Sequence, residues 1–360
     1  MLDISRAESI DSVPSRPWNE VVASSATRSV FQTHEWHQAW WNVHGSGKAL
    51  WLLLAHDDGK LVGILAATRD EHGDLLFVGH RRSDYVDVIC PADREDVREA
   101  LLARLVRDAA PWRRFELRNL PESSPTAKTL ERLTPRTLLR NTTPCPTLII
   151  RGNEEFFDDV RRKKSLRRHH NWFKKQEDYE VLHTSDASVI AEHLDAFFEQ
   201  HVQRWRGTDS PSLFESDDSR RFYRELLDSM GATTWLRFTA VSALGKPVAF
   251  HFGFVHDGVF VWYKPSFDIE LQKKSPGEAL IKELFELAHE EGCSEFDFTV
   301  GDETFKSRFS NVVRSNLHIT AYGGGLDYWK QRLVEGAKRR LKSSTVGQRL
   351  IEKAKKLGRP

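Results

Sequence analysis

The sequence predicts an α+β fold of two similar units, each a mixed, mostly antiparallel sheet flanked by helices. Hairpin turns occur in both halves, at Asp58-Gly59 and at Asp257-Gly258, between runs rich in β-forming residues. The order helix, antiparallel strands, helix, strand recurs in both halves. With 360 residues, 39% of them hydrophobic, the chain is long enough for two cores of ordinary size.

Four segments are expected. Residues 1–30 contain two prolines and no clear periodicity, and are predicted to be irregular. Residues 31–150 are the first unit and residues 151–325 the second. Residues 326–360 form a separate basic, amphipathic tail.

Within the first unit, Thr33 is predicted to cap a helix that stops at Gly45. Residues 85–90, YVDVIC, are predicted to be a short apolar strand. In the second unit, residues 188–205 have strong helical amphipathicity. Residues 275–292 are predicted to be a capped helix that leads into a strand and exit loop at residues 294–302.

Composition excludes several classes of protein. A net charge of +1 gives no global reason to expect a nucleic-acid partner. The three cysteines, Cys90, Cys145 and Cys293, are far apart, so neither a disulfide framework nor a metal site is predicted. The N-terminus lacks the apolar run of a signal peptide. We expect a cytoplasmic protein, with a peripheral position on the inner membrane face as the alternative.

The helix that opens at Ser275-Pro276-Gly277 is a candidate anion site. Free amides and the positive end of the helix dipole favour a pyrophosphate there, and Gly277 permits close approach of a ligand. Lys273 and Lys274 precede this end and would add positive charge. The alternative is an ordinary capped helix with solvated lysines.

The order of the sequence blocks resembles that of a known family. VWYKPSFD is followed by KKSPGEALIKELFELAHEEG and then by SEFDFTVGDETFKSRF, with the basic RRKKSLRRHHNWFKK upstream. These blocks resemble the GNAT acyltransferases, and more closely the bacterial CelD/BcsL-type branch with tandem GNAT-like domains, which is related to the Fem-type transferases. The Ser-Pro-Gly turn departs from the Gln/Arg-x-x-Gly-x-Gly/Ala loop of ordinary GNAT proteins.

The resemblance implies acetyl-CoA or another acyl-CoA as co-substrate, and no metal. Pantetheine would lie along one strand as an added strand, and the pyrophosphate would lie at the following helix. The implied cofactor-binding residues are Val261, Trp262, Tyr263, Lys273, Lys274, Ser275, Pro276, Gly277 and Glu278.

Acid–base chemistry needs a group near the thioester. Asp297 alternates with two phenylalanines on a predicted strand and is a candidate base, or else a structural hydrogen-bond acceptor. Asp302 and Glu303 follow at the strand end, where Asp302 is alternatively a helix cap. Lys306 is expected to pair with Asp297 or Asp302, or to contact a phosphate or the thioester oxygen.

Four residues are candidates for contact with the acceptor. Trp205 and Arg206, followed by Phe214, suit a sugar or nucleotide ring, although Trp205 is also compatible with core packing. His251 lies between two phenylalanines and is either a base or a packed strand histidine. The eight cations of the basic stretch, residues 161–175, form a solvated face or bind an anionic acceptor or the CoA phosphates.

The resemblance also suggests an acceptor. It implies N- or O-acylation of a sugar or glycan precursor in cell-surface polysaccharide or glycolipid biosynthesis. Two alternatives remain open: a Fem-like transferase that uses aminoacyl-tRNA, for which the basic stretch would hold the RNA backbone, and a non-catalytic binding protein with the same fold. A coiled-coil arm such as some Fem-type proteins insert is not apparent.

The tail differs in charge from the rest of the chain. Residues 328–360 carry a net charge of +9, which leaves about −8 for the remainder. Leu333 and Leu341 share one predicted helical face, and Val346 and Leu350 share another. Basic amphipathic helices suit an anionic membrane surface. A solvated tail and a nucleic-acid contact are the alternatives.

Overall fold

The computed structural model describes residues 1–208 and 210–343, in which one twelve-stranded sheet is flanked by helices. The N-terminal half runs strand, two helices, three strands, helix, strand, helix, strand. Its elements are β1 (Leu2–Ala7), α1 (Ser15–Ser24), α2 (His34–His44), β2 (Ala49–Asp57), β3 (Lys60–Arg69), β4 (Asp74–Phe77), α3 (Glu95–Asp108), β5 (Arg114–Pro121), α4 (Thr126–Leu133) and β6 (Thr137–Ile149).

The C-terminal half begins with two additional helices and then repeats the same order, before a last helix. Its elements are α5 (Glu154–Arg161), α6 (Lys164–Lys174), β7 (Glu180–Thr184), α7 (Ala187–Trp205), α8 (Asp217–Met230), β8 (Leu236–Ala243), β9 (Lys246–His256), β10 (Val259–Phe267), α9 (Pro276–Glu290), β11 (Glu295–Asp297), α10 (Thr304–Ser307), β12 (Val312–Tyr322) and α11 (Gly325–Ser343).

The two halves exchange their last strands. The strand order is β1-β2-β3-β4-β5-β12-β6-β11-β10-β9-β8-β7. The last strand of the C-terminal half thus pairs with β5, and the last strand of the N-terminal half pairs with β11. The predicted units are therefore not separate sheets. Patterning marks strands along the sequence but does not specify which strands pair across long distances.

Two sequence predictions need correction. Residues 1–30 are not irregular, because they contain β1, which pairs with β2, and α1. β1 lies at the edge of the sheet, and apolar residues alternate with exposed polar residues along it. It therefore lacks the continuous apolar run that would mark a buried strand. Residues 85–90 are not a strand: Ile89 forms a single bridge with Ile64. Their apolar side chains reflect burial in the core, not ladder pairing.

Several local predictions are confirmed. The β2–β3 turn places Asp58 and Gly59 at φ +49° and +79°, as a type I′ hairpin turn requires. The hydroxyl of Thr33 accepts the amide of Trp36 at 3.4 Å and caps α2, which ends before Gly45. Local turn and cap chemistry therefore decides these boundaries.

Three apolar clusters hold the sheet and helices together. One lies between the halves, where α1, α2, α7 and α8 pack, and includes the fully buried Trp36 and Phe222. The others lie beneath α3 and beneath α9. None of the described helices is both long and apolar enough to cross a membrane.

The first part of the predicted tail is helical. α11 begins at Gly325 and is described as far as Ser343, and Arg140 forms a salt bridge of 3.2 Å with Glu335. Residues 344–360, which carry the predicted apolar face with Val346 and Leu350, lie outside the described residues.

Candidate active site

The parallel strands β10 and β11 separate soon after they pair. Their register ends with Val261 opposite Asp297, whereas β10 continues to Phe267. Between Val261 and Lys264 the pairing of β10 with β9 is also irregular. Beyond Val261, β10 therefore no longer pairs with β11, although the hydroxyl of Thr299 donates to the carbonyl of Trp262 at 3.3 Å. A ligand backbone can add to such an unpaired stretch of strand.

Two cavities flank this opening. The α9 cavity, of about 210 Å³, contains Ser275, Gly277, Glu278 and the ring of Phe267 among its lining residues. The α7 cavity, of about 440 Å³, is lined by residues of α7, by the bulged part of β10 and by the loop before α10. Both cavities are lined by Arg204, Trp262, Pro265 and Phe305.

The start of α9 offers one free amide rather than three. Pro276 has no N–H, and the amide of Glu278 donates to the carbonyl of Ser275 at 3.0 Å. Within the described residues, the amide of Gly277 has no acceptor. A Cβ atom at Gly277 would lie 3.4 Å from the ring of Phe267, so a larger side chain would enter the cavity. This corrects the expectation that the amides around residues 276–278 act together.

Two basic residues lie near the same helix end. Arg308 forms a salt bridge of 2.8 Å with Glu278 and donates to the hydroxyl of Ser165 at 3.0 Å. His169 is 3.0 Å from the carbonyl of Lys274. The helix α6 therefore packs beside the start of α9 through Ser165 and His169.

Other members of the basic stretch serve the fold. Arg161 pairs with Glu286 and with Asp158. Lys163 donates to the carbonyl of Arg308. The predicted lysines before α9 are exposed, and the ammonium of Lys274 lies 4.7 Å from the ring centroid of Trp172.

Lys306 and Glu303 both line the α7 cavity. The buried ammonium of Lys306 donates to the carbonyl of Val300 at 2.9 Å and pairs with Glu303 at 2.8 Å. The expected partners, Asp297 and Asp302, do not contact it. Asp302 is exposed and does not cap α10, whose N-cap residue is Glu303.

Asp297 lies in a different cleft. Its Oδ2 atom accepts the hydroxyl of Tyr85 at 2.7 Å, and its Oδ1 atom accepts the amide of Thr299 at 2.8 Å. Burial raises the pKa of Asp297 to about 7. The cleft, of about 520 Å³, is lined by Val261 but not by the residues shared by the other two cavities. Asp297 therefore accepts hydrogen bonds in a cleft that shares none of Arg204, Trp262, Pro265 and Phe305 with the other two cavities, and its role as a base stays a prediction.

Two predicted acceptor contacts belong to the core instead. Phe214 is fully buried between the halves. His251 is also fully buried, where its ring centroid is 5.1 Å from that of Trp262, and burial lowers its pKa to about 3. Alternating aromatic residues on a buried strand explain both its position and its neutral charge.

The remaining predicted site residues lie on or next to α7 and on β10. Trp205 and Tyr263 line the α7 cavity, whereas the neighbouring Arg206 is exposed and lines neither cavity. The hydroxyl of Tyr263 donates to the carbonyl of Arg82 at 2.7 Å, which links the two halves. Sequence reasoning missed Arg204, one residue before Trp205, although its position on the same helix was visible.

Lys264 and Asp84 also line the α7 cavity and were not predicted. Lys264 follows Tyr263 in one of the sequence blocks, so its closeness to the predicted cofactor-binding residues was a signal in the sequence. Asp84 comes from the N-terminal half, and only the long-range packing of the halves brings it here. Within the described residues, no group of three potential metal ligands occurs.

Comparison with known proteins identifies the part of the chain that contains these cavities. Residues 160–307 match the sequence family described as "Acetyltransferase (GNAT) domain". The chain contains a GNAT acetyltransferase domain. Both cavities lie largely within this domain, and we assign the chain as an acyltransferase. GNAT domains generally use acetyl-CoA or another acyl-CoA. No curated protein matches the sequence significantly.

Solved structures share the fold over nearly the whole chain. The match with FemX covers 90% of this chain and 98% of the FemX chain, with 11% sequence identity and a TM-score of 0.64. The L-PGS protein from Bacillus licheniformis covers 91% and 97%, with 11% identity and a TM-score of 0.55. A tandem GNAT protein from the clavulanic acid biosynthesis pathway covers 90% and 99%, with 14% identity and a TM-score of 0.52. At these identities, the likeness concerns the fold alone.

Proposed function

We propose that the chain transfers an acyl group from acyl-CoA to an amine or hydroxyl of a sugar or glycan precursor, as a member of the CelD/BcsL-type branch. The observation that supports this most directly is the meeting of two cavities at Trp262 and Pro265, where β10 and β11 separate. Pantetheine would lie in the α9 cavity along the unpaired stretch of β10, and the acceptor would occupy the α7 cavity.

The fit of the donor rests on three features of the opening. Residues 262–267 lie beyond the pairing of β10 with β11. An amide plane of pantetheine can pair with the backbone groups there that Thr299 and Arg204 do not occupy. The unpartnered amide of Gly277 can donate to a phosphate at the N-terminal, positive end of the α9 dipole. Arg308 and the basic helix α6 add positive charge beside it.

In this proposal, the acceptor atom attacks the thioester carbonyl. A C–N or C–O bond forms, the C–S bond breaks, and CoA leaves as a thiol that carries the proton lost by the acceptor. Lys306, held by Glu303 and by the carbonyl of Val300, supplies the positive charge that stabilises the oxyanion. Trp205 offers an aromatic face to the acceptor ring.

The direct test is calorimetry of the full chain with acetyl-CoA, followed by assay of thiol release with amino-sugar and sugar acceptors. We expect a saturable 1:1 complex, and thiol release that depends on the acceptor. Absence of binding by acetyl-CoA and by longer acyl-CoAs would contradict the proposal.

Aminoacyl transfer from tRNA is a second candidate. It is favoured by the similarity to the FemX fold and by the basic helix α6, whose His169 lies 3.0 Å from the carbonyl of Lys274 just before α9. Binding of aminoacyl-tRNA in place of acyl-CoA, with a steep salt dependence, would favour this candidate. A chain that binds either donor without transfer would fit the non-catalytic alternative.

We also propose that α11 contacts an anionic membrane. Leu326, Trp329 and Leu333 are 90%, 57% and 73% exposed and share one face of the helix. The guanidinium of Arg332 lies 5.2 Å from the ring centroid of Trp329. An exposed apolar face with adjacent cations suits the interface of an anionic bilayer.

A further inference from the structure

We propose that the α7 cavity binds an acceptor that carries an anionic group, and that Lys264 and Arg204 hold this group. This inference rests on the proposed acyl transfer and adds a chemical class of acceptor to it. The group is a carboxylate or a phosphate, since both present oxygen atoms to an ammonium and a guanidinium.

The charges that line the α7 cavity are unequally partnered. Lys306 pairs with Glu303 at 2.8 Å. Within residues 1–208 and 210–343, neither Lys264 nor Arg204 forms an ion pair, and Asp84 forms none either. Two cations therefore line the cavity without an ion pair, and the nearby carboxylates of Asp84 and Glu303 counter their charge only from beyond salt-bridge distance.

Arg204 is held in place by neutral groups. Its Nη1 atom donates to the carbonyl of Pro265 at 3.0 Å, and its guanidinium lies 4.1 Å from the ring centroid of Phe267 and 5.2 Å from that of Trp205. Burial lowers the pKa of Arg204 to about 10. Arg204 is half-buried; a partly desolvated cation without an ion pair is costly, and an incoming anion would relieve that cost.

Lys264 shows the same pattern beside it. Its ammonium lies 3.7 Å from the ring centroid of Tyr263, and burial lowers its pKa. It precedes Pro265, whose carbonyl binds Arg204, so the two cations belong to one wall of the cavity. Lys264 is half-buried, and cation–π contact compensates the lost hydration of its ammonium only in part.

The position of this wall gives the anion a role. Arg204 and Pro265 line both cavities, so an anion held there lies beside the point where the acyl group would enter. Such an anchor would orient the attacking atom of the acceptor toward the thioester. The two cations are positioning residues in this scheme.

The test is nuclear magnetic resonance of the full chain with lysines dimethylated by ¹³C-formaldehyde. Inorganic phosphate and acetate are titrated separately at constant ionic strength, and Lys264→Arg assigns the Lys264 signal. We expect a saturable shift of the Lys264 signal with at least one anion, while the exposed Lys128 of α4 does not saturate. The anion that saturates at lower concentration gives the preferred group.

Matched variants of Arg204 complete the test. Arg204→Met should lower the affinity of the anion, measured at the Lys264 signal, by about tenfold. Arg204→Lys should lower this affinity less, because a positive charge remains. A Lys264 shift that does not saturate, or that is unchanged in Arg204→Met, would overturn the proposal. Calorimetry with acetyl-CoA on the same samples tests the proposed transfer separately, because failure to bind the donor leaves the anion titration intact.

Discussion

The hydroxyl of Tyr85 donates a hydrogen bond of 2.7 Å to Asp297, and the two residues come from opposite halves of the chain. Asp297 also accepts the amide of Thr299, which has a positive φ of 56°. The carboxyl group thus connects the halves and fixes the turn after β11. These two hydrogen bonds compensate the burial of the carboxyl group.

A first prediction concerns the pH dependence of stability. Burial raises the pKa of Asp297 to about 7 from an ordinary value of 3.8. Between these values the folded state binds more protons than the unfolded state, so this group makes the free energy of unfolding fall as pH rises. Asp297→Asn should remove this contribution.

The measurement is urea unfolding of the wild type and Asp297→Asn at several values between pH 4 and pH 8. The wild type should lose stability relative to the variant as pH rises, by on the order of a few kcal/mol in total. Tyr85→Phe serves as the control that keeps the carboxyl group. A difference between wild type and Asp297→Asn that does not change with pH would contradict this prediction.

A second prediction concerns Lys306. Lys306→Met should lower kcat on the order of a hundredfold if its charge stabilises the oxyanion, while circular dichroism and the affinity for acetyl-CoA stay close to wild type. Asp302→Asn is the matched control in the same loop, because its side chain is exposed. Equal kcat in Lys306→Met and wild type would remove this residue from the mechanism.

A third prediction concerns Gly277. Gly277→Glu places a carboxylate beside the free amide of α9, and should raise the Kd of acetyl-CoA by about tenfold or more through charge and steric block. Gly277→Gln separates the two effects, since it has the same shape without charge. Calorimetry should give the order wild type, Gln, Glu in affinity. Unchanged Kd in both variants would place the pyrophosphate elsewhere.

A fourth prediction separates core from acceptor site. Phe214→Ala should destabilise the chain by about 3–5 kcal/mol, because a fully buried ring is removed. Trp205→Ala should affect KM for the acceptor more than stability, since Trp205 lines the α7 cavity. Thermal unfolding and steady-state kinetics measure both effects. A Phe214→Ala variant with wild-type stability would contradict the core assignment.

A fifth prediction concerns α11. The double variant Trp329→Gln and Leu333→Gln should reduce co-sedimentation with vesicles that contain anionic lipid, because it removes the apolar face but keeps the charge. Binding by the wild type should weaken at high salt. The control is the same assay with neutral vesicles. Equal sedimentation of variant and wild type would show that this face is not the contact.

Patterns along the sequence were sufficient for several turns, caps and helices, but not for residues 1–30 and 85–90. The Asp58-Gly59 turn, the Thr33 cap and the amphipathic helix α7 follow from φ/ψ preferences, capping hydrogen bonds and helical periodicity. These features depend on residues close together in the chain. The order of the blocks that contain Trp262, Gly277 and Lys306 indicated a GNAT domain, which the match over residues 160–307 confirms.

Only the tertiary structure decided which distant strands and side chains contact one another. The exchange of β6 and β12 between the halves, the contact of Tyr85 with Asp297 and the arrival of Asp84 at the α7 cavity depend on packing across the sheet. Strand alternation also does not tell which face of β11 meets which cavity, so Asp297 and Lys306 were expected together and lie apart. Periodicity determines which residues share a face, whereas pairing between distant segments is set by the global packing of the core.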